Sequence, residues 1–382
     1  MLAYFLAFAI SLPFLMEASR NYKKYKYRPY VKADSNQTGL KQINPYEDRR
    51  NYKLKYLFFF LMAFLPPFFI SAVRYGVGTD YFFTYVPGFN SILNGKPYYT
   101  EWGFNTLNVI IQWFTNDSQW LFVVTSAIFF VVVLRTIIHY SQISVLSLSI
   151  LFLSCIYFWS LNNIRQALAV VIVFAGYPYL VNGKFFKYSL CILVGSLFHI
   201  SAFIMLLPYI LVHIKFIRQN FLPFIIIFLL LLPVISKILE YSLSGTKYAY
   251  YFNDGFNNGS HGKLNILYNA VFTVLTYYIL RKYYRKDNSA YVLLMMQYLS
   301  LWISLCCLFI NIPELIGRLL MYTQIFQVLL IPYCCNKIED HSNRVGFIVF
   351  YIILYIAYLV YTVVLRGNYE VLPYTWIFGN KL

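Results

Sequence analysis

Long, continuous apolar stretches are the feature that most constrains this chain. Runs such as residues 57–73, 119–138 and 346–365 carry at most one charged side chain, and each is near the ~20 residues that an α-helix needs to cross a bilayer. The apolar residues do not alternate with polar ones, as they would in a transmembrane β-barrel. With 60% hydrophobic and only 12% charged residues, the chain also differs from a soluble domain. The sequence therefore predicts an all-α, polytopic transmembrane helical bundle.

The apolar runs divide the chain into about ten full spans and a few shorter segments. Residues 102–114 are short for a span and predict a re-entrant or interfacial helix. Phe198-His199-Ile200-Ser201 interrupts the run at 188–212, which predicts two half-helices that meet at His199, with one long tilted span as the alternative. The predicted full spans are 1–16, 56–73, 119–138, 143–159, 164–181, 221–239, 264–280, 290–311, 315–334 and 346–365.

Basic residues indicate the orientation, because lysine and arginine are retained on the cytoplasmic side. Eleven of them lie between residues 20 and 55, so we interpret 1–55 as an N-terminal helix with a basic cytoplasmic loop and 56–382 as the main transmembrane domain. If neither short segment crosses the membrane, 22 of the 31 lysines and arginines are cytoplasmic. Residues 74–101 and 240–262 then face outward. The orientation of 116–187 stays open, because that section inverts if both short segments cross.

Charge and cysteine usage exclude several classes of site. The net charge of +17 is accounted for by membrane topology and does not require nucleic acid. The six cysteines lie within or beside apolar runs and show neither a disulfide framework nor zinc spacing. We therefore expect membrane lipids as neighbours, and no nucleic-acid partner, no metal site and no cofactor.

The stretch RYGVGTDY (74–81) stands where a membrane helix should reach the surface. Arg74 offers a planar fork of donors that suits phosphate oxygens, and Asp80 is near enough in sequence to act on what Arg74 holds. Glycine, here Gly78, lets the backbone adopt positive φ and approach a ligand, with Thr79 and Tyr81 as supporting residues. In the alternative reading the glycines only end the helix, and Arg74 pairs with Asp80 at the interface.

Further polar residues collect on the predicted outer side of the membrane. Ionisable residues at membrane depth generally face a cavity or a partner, which makes them functional candidates. Each has a structural alternative: His199 as a packing residue, Arg165 as a snorkelling side chain, and Glu314 with Arg318 as a helical ion pair. The set comprises Asn162, Asn163, Arg165, Gln166, His199, Glu314 and Arg318.

Five stretches carry a resemblance to a known family: RYGVGTDYFFTY (74–85), EWGFNTLN (101–108), NNIRQALA (162–169), FHISAF (198–203) and GRLLMY (317–322). From about residue 56 onward the chain resembles the EpsG family of exopolysaccharide and O-antigen polymerases, the Wzy-type enzymes. The resemblance implies transfer of a growing glycan from undecaprenyl diphosphate to a lipid-linked repeat unit, on the outer face of the bacterial cytoplasmic membrane. It also implies a relationship to GT-C type glycosyltransferases, in which an acidic residue of the first external loop is often catalytic. Asp80 matches that expectation. A flippase and a chain-length regulator are the protein partners that such a polymerase would have.

The chemistry of the residues agrees with this resemblance. Transfer from a lipid diphosphate requires positive charge at the departing diphosphate and a base at the acceptor hydroxyl. Arg74, Arg165 and Arg318 are the candidate clamp, and the chain contains no Asp-x-Asp pair for a metal, so we expect a metal-independent glycosyltransferase. Asp80 and His199 are the two candidate bases, and the sequence does not choose between them.

Two other classes of membrane protein share some of these features. A lipid-linked oligosaccharide flippase would also be polytopic, although it would place polar groups along the whole depth of the bundle and often contains internal repeats. A membrane O-acyltransferase acting on a polysaccharide would use one intramembrane histidine, for which His199 is the candidate. The sugars, the linkage, the stereochemical outcome and the oligomeric state are not encoded in any pattern that we identify.

Overall fold

The computed structural model describes residues 1–27, 45–244, 260–306 and 313–379. In chain order its α-helices are α1 Leu2–Tyr27, α2 Pro45–Ala72, α3 Val86–Leu93, α4 Trp102–Gln112, α5 Gln119–Tyr140, α6 Ser144–Leu153, α7 Ile156–Asn162, α8 Ile164–Ala175, α9 Tyr177–Val181, α10 Phe185–Ser196, α11 Leu206–His213, α12 Lys215–Gln219, α13 Phe221–Leu230, α14 Leu232–Ser244, α15 Ser260–Leu280, α16 Asn288–Cys306, α17 Pro313–Gln324, α18 Gln327–Lys337 and α19 His341–Leu359.

The predicted all-α polytopic membrane bundle is confirmed. Across the described ranges, six helices are long and apolar enough to cross a membrane. The count rises to seven if one bent pair of helices is taken as a single span. This is fewer full-length spans than the ten predicted, because several apolar runs are interrupted and form shorter helices. The six are Leu2–Tyr27, Arg49–Ala72, Gln119–Tyr140, Asn288–Cys306, Gly317–Lys337 and His341–Leu365.

Backbone breaks explain why some predicted spans are not continuous. The run at 143–159 divides into α6 and α7, which meet at an angle of 54°, and Cys155 at the junction has φ +64°. Such a left-handed residue cannot continue an α-helix, and nothing in the apolar composition of the run indicates it. The run at 164–181 likewise divides at Gly176 into α8 and α9. By contrast, the predicted interruption at His199 is present, since α10 ends before it and a 3₁₀ turn, Ile200–Met205, follows it.

The described chain forms two compact units. Unit 1 consists of Met1–Lys96, Asn108–Asn162 and Tyr355–Leu382, and unit 2 of Pro97–Leu107 and Asn163–Leu354. The predicted boundary at residue 55 stays a prediction. Residues 28–44 of the predicted basic loop 20–55 and residues 245–259 of the predicted outer loop 240–262 lie outside the described residues.

Unit 1 is built around aromatic side chains from α1 and α7. The ring of Tyr4 meets the rings of Tyr157 and Phe158 edge-on, with centroids 5.8 and 5.1 Å apart, and Phe8 lies 4.8 Å from Tyr157. Edge-to-face pairs of this kind are favourable beyond the area that they bury. They fix α7, and therefore the position of its last residue, Asn162.

Unit 2 contains a buried amide network between α15, α16 and α18. Gln327 donates to the amide oxygen of Gln297 over 2.9 Å and accepts from the hydroxyl of Tyr268 at 2.9 Å, while Gln297 lies 3.3 Å from the amide oxygen of Asn269. The three amide side chains are almost completely buried. Interhelical hydrogen bonds of this type hold membrane helices together where lipid offers no hydrophobic drive.

The C-terminal segment of unit 1 pairs with the loop that follows α2. The amide of Tyr75 donates to the carbonyl of Thr375 over 3.0 Å, and the amide of Ile377 donates to the carbonyl of Val73 over the same distance. The buried hydroxyl of Tyr374 donates over 2.8 Å to the carbonyl of Ile70, in the last turn of α2. The sequence analysis assigned no role to these residues.

We predict that Tyr374→Phe destabilises unit 1, because the buried carbonyl of Ile70 loses a donor. Leaving such a group unsatisfied costs about 1–3 kcal/mol. Tyr361→Phe is the matched control in the same unit, since it removes an exposed hydroxyl that accepts from Arg366. Thermal unfolding in detergent should give a lower midpoint for Tyr374→Phe than for the control. Equal midpoints would contradict the role of this hydrogen bond.

Candidate active site

Arg74 is almost completely buried, with 2% of its surface exposed. Its two terminal nitrogens donate to the carbonyls of Ser71 and Leu161, at 3.0 and 3.1 Å. Its guanidinium also lies over the ring of Phe122, 4.9 Å from the centroid. Carbonyl dipoles and an aromatic face compensate part of the cost of burying a cation. Both terminal nitrogens are thus engaged with unit 1 itself.

The loop after Arg74 reaches Asp80 by way of two glycines with positive φ. Gly76 has φ +63° and Gly78 has φ +96°, values that other residues adopt only at a cost. A Cβ atom on Gly78 would lie 3.4 Å from the carbonyl oxygen of Leu161 and 3.5 Å from the side-chain oxygen of Asn162. The loop therefore lies close against the end of α7, and Thr79 is exposed.

Asp80 is held beside Asn162 through its main chain. The amide of Asp80 donates to the side-chain oxygen of Asn162 over 2.8 Å, and its carboxylate accepts a long contact, 3.4 Å, from the hydroxyl of Thr84. Asp80 directly precedes a π-helical turn, Tyr81–Tyr85, a local geometry that is frequent at functional sites. Within unit 1 the structure thus brings together Gly78, Asp80 and Asn162 from two of the predicted stretches.

Gln119, the first residue of α5, contacts this loop and was not among the predicted residues. Its amide nitrogen donates to the carbonyls of Ala72 and Arg74, and its oxygen accepts from the hydroxyl of Tyr81 over 2.8 Å. The ring of Tyr81 also stacks on that of Phe122, with centroids 4.2 Å apart. A glutamine at the start of an apolar helix has no distinctive pattern, so the sequence contained no signal for it.

In unit 2, Arg165 forms an ion pair with Glu101 over 2.6 Å. The Glu101 side chain is 7% exposed and that of Arg165 is 24% exposed, so the pair is largely removed from solvent while the arginine keeps an open side. The guanidinium lies over the ring of Tyr99, 5.0 Å from its centroid, and its Nε has no hydrogen-bond partner. Arg165 is the second residue of α8, as the sequence predicted. Glu101 was not among the predicted site residues.

His199 is oriented by hydroxyl groups from two other positions in unit 2. Its Nδ1 lies 2.6 Å from the hydroxyl oxygen of Ser201, and that oxygen lies 3.0 Å from the hydroxyl of Tyr322. The side chain of Gln166 donates over 2.8 Å to the carbonyl of Arg318 and makes a longer contact, 3.4 Å, with Ser201. A histidine held in this way has a fixed ring orientation.

The remaining predicted residues differ in how far the structure describes them. Asn163 precedes α8, and its carbonyl accepts from the amide of Ala167 over 2.8 Å. Arg318 takes part in the group around His199 through its main chain. Glu314 belongs to α17, but its side chain lies outside the described part of the structure, so the predicted Glu314 and Arg318 pair stays a prediction.

Several of the contacts join stretches that the sequence analysis had already singled out. Glu101 begins EWGFNTLN, Ser201 lies in FHISAF, and Tyr322 ends GRLLMY. Each forms a short contact with a predicted residue or with one another in unit 2. Membership of these stretches was therefore the available signal for the three residues, although each alone looks like an ordinary loop or helix residue. Among the described residues, no three His, Cys, Asp or Glu side chains are grouped closely enough to hold a metal ion.

Comparisons with known proteins identify the family. A model of the EpsG family matches residues 57–376, a range that includes all five of these stretches. Searches of curated proteins and of solved structures found no match. Because the match covers most of the chain, the protein belongs to the EpsG family, a family of Wzy-type polymerases.

Proposed function

We propose that the protein polymerises a polysaccharide by transferring a growing glycan from undecaprenyl diphosphate to the next lipid-linked repeat unit. The observation that carries the proposal is the chain of contacts from His199 through Ser201 to Tyr322, supported by the ion pair of Arg165 and Glu101. Two family stretches supply the first contacts and two supply the second. A fixed imidazole and a partly exposed guanidinium are the groups that this reaction requires.

The proposed reaction forms one glycosidic bond and breaks the bond between the donor sugar and the diphosphate. The acceptor hydroxyl oxygen attacks the anomeric carbon of the donor sugar, and the bond from that carbon to the diphosphate oxygen breaks. The electron pair of this bond leaves with undecaprenyl diphosphate, whose developing negative charge needs compensation. The proton of the acceptor hydroxyl passes to a base on the protein.

Arg165 is the proposed partner of the departing diphosphate. Its Nη1 is held by Glu101 and its plane by Tyr99, so the guanidinium is fixed before substrate arrives, and a preorganised charge is more effective than a mobile one. Its position at the start of α8 adds the positive end of a helix dipole. Arg318 is proposed as a second cation for the diphosphate.

The burial of Arg74 favours a positioning role over the predicted contact with diphosphate. Each of its terminal nitrogens already donates to a carbonyl, of Ser71 and of Leu161, and the side chain is almost completely buried, which leaves phosphate little access to it. We propose that Arg74 fixes the loop that carries Asp80 against the end of α7. Asp80 is proposed to orient the acceptor or to stabilise positive charge on the donor sugar.

His199 is the proposed base. Nδ1 can accept from the amide of Ser201 at 3.4 Å or, in the other tautomer, donate to the hydroxyl of Ser201. We propose the second tautomer, in which Nδ1–H donates to Ser201, the hydroxyl of Ser201 donates to Tyr322, and Nε2 carries the lone pair that takes the acceptor proton. Ser201 and Tyr322 are positioning residues in this scheme, because they hold the ring and its tautomer without touching the substrate. The distances of 2.6 and 3.0 Å are compatible with this direction of donation.

The predicted location is the bacterial cytoplasmic membrane, with the reaction on its outer side. The division of basic residues supports this orientation. A reporter that is active only after export, fused at Asn94, should therefore be active, and one fused at Lys187 should be inactive. An inactive reporter at Asn94 would overturn the orientation.

A deletion strain tests the function itself. Loss of a polymerase leaves single exported repeat units on a glycan gel, and loss of a flippase leaves none exported. Loss of an O-acyltransferase leaves polymer of ordinary length without acyl groups. We expect single repeat units.

The activity of the purified enzyme should persist in EDTA, since the proposed mechanism uses no metal.

Arg165→Lys should lower the rate of polymerisation on the order of 100-fold or more, because lysine lacks the planar fork that contacts both Glu101 and a phosphate. Arg135→Lys, at an exposed arginine of α5, is the control with the same chemical change. Initial rates with lipid-linked substrate measure the effect, and thermal unfolding confirms that both variants are folded. An ordinary rate for Arg165→Lys would remove this residue from the proposed mechanism.

His199→Gln should lower turnover on the order of 100-fold or more while substrate binding remains, because glutamine keeps hydrogen bonding but not basicity. Asp80→Asn should also abolish polymer formation.

Ser201→Ala should move the acid side of the pH–rate profile toward lower pH, since the protonated ring of His199 loses an acceptor at Nδ1. A structural role for Ser201 would lower the rate without moving the profile. Substantial activity of His199→Gln across neutral pH would leave Asp80 as the candidate base.

A further inference from the structure

A polar cavity lies in unit 2, beside the turn that joins α15 and α16. It measures about 520 Å³, and its lining includes Lys282, Lys286, Lys337 and Asp287. Three lysines face one carboxylate, so the cavity carries a net positive charge. The sequence analysis used the basic residues of this turn only to orient the chain in the membrane.

The cavity is separate from the group around His199. Tyr322 and Lys337 belong to the same candidate span, Gly317–Lys337. Their separation of 15 positions in the sequence corresponds to roughly 22 Å along a helix that rises about 1.5 Å per residue. The cavity therefore lies toward the opposite end of this span from Tyr322. In the orientation that we propose, this end is cytoplasmic.

The floor of the cavity is a network centred on Asp287. Its carboxylate accepts from the amides of Ser289 and Ala290 at the start of α16, at 2.9 and 3.3 Å, from the hydroxyl of Tyr333, and from Lys337 at 3.3 Å. Partial burial raises the pKa of Asp287, but these hydrogen bonds and the charge of Lys337 together bring it below its ordinary value. Asp287 is therefore ionised and neutralises Lys337.

Lys282 and Lys286, the other two lysines of the cavity, do not form an ion pair with Asp287. Lys282 and Lys286 are exposed, and neither side chain has a hydrogen bond or ion pair with another residue in the described part of the chain. The floor holds Lys337 in place over the ring of Tyr283, 4.7 Å from its centroid. The ammonium groups of Lys282 and Lys286 thus remain available beside the neutralised pair of Asp287 and Lys337. A lysine ammonium is a common point-charge partner for phosphate.

We propose that this cavity binds a phosphate group, carried either by an anionic phospholipid or by a soluble phosphate compound. Each lysine near a membrane surface contributes appreciably to the attraction of anionic headgroups. The opening of the cavity at one end of a spanning helix allows a headgroup to enter from the membrane surface, and allows a soluble compound to enter from water. This proposal does not depend on the polymerase reaction.

The test compares two variants with the same loss of charge. Lys282→Gln with Lys286→Gln removes the two available lysines of the cavity. Lys184→Gln with Lys215→Gln removes two exposed lysines outside the cavity lining, in segments that we place on the same side of the membrane. Native mass spectrometry of protein from nanodiscs with and without phosphatidylglycerol measures retained lipid. Thermal shift in detergent with ATP or inorganic phosphate measures soluble ligands.

We expect the cavity variant to bind roughly tenfold more weakly or worse than the wild type, and the control variant to bind like the wild type. Loss of phosphatidylglycerol retention alone identifies a lipid ligand, and loss of the shift with ATP or phosphate identifies a soluble one. Equal binding by the two variants with every probe would overturn the proposal. The binding assays use no glycan substrate, so they remain informative even if the polymerase assignment fails.

Discussion

A backbone that leaves its helix at membrane depth must find other partners for its amides and carbonyls, because lipid supplies none. The candidate residues of this protein cluster where the chain meets that requirement. At His199 the ring nitrogen lies near the amide of Ser201 as well as its hydroxyl. In unit 1 the carbonyl of Leu161, near the end of α7, is satisfied by Arg74, and the amide of Asp80 is satisfied by Asn162. Within each unit, polar side chains that were predicted as site residues thus also satisfy the interrupted backbone.

Two arginines of the proposed mechanism differ in role because they differ in burial and in hydrogen-bond partners. Both Arg74 and Arg165 stand at helix ends next to polar residues, and both fit a diphosphate clamp by chemistry alone. Arg74 is buried against carbonyls, whereas Arg165 pairs with a carboxylate on one side and keeps part of its surface open. A buried cation that is satisfied by the backbone stabilises its surroundings, while a partly exposed cation can exchange its contacts with a ligand.

The sequence predicted the features that depend on composition and periodicity. The membrane-helical fold, the short helix at Trp102 and the interruption at His199 all follow from where polar residues enter apolar runs. The break at Cys155 did not, because a left-handed residue within an apolar run leaves no compositional trace. Glu101 and Tyr322 were missed for another reason: their roles arise from contacts with residues 64 and 121 positions away in the chain. Such distances are set by how helices pack, which a single sequence does not reveal.

The pairing of residues 375–377 with the loop after α2 has a consequence for the order in which the protein can be built. Unit 1 consists of segments from both ends of the described chain, with nearly all of unit 2 inserted between them. During synthesis, α2 and the Arg74 loop leave the ribosome long before Thr375 and Ile377 exist. The carbonyl of Val73 and the amide of Tyr75 must therefore remain with water or temporary partners until residues 375–377 are made. The loop that carries Asp80 can therefore be completed only after unit 2 has been synthesised.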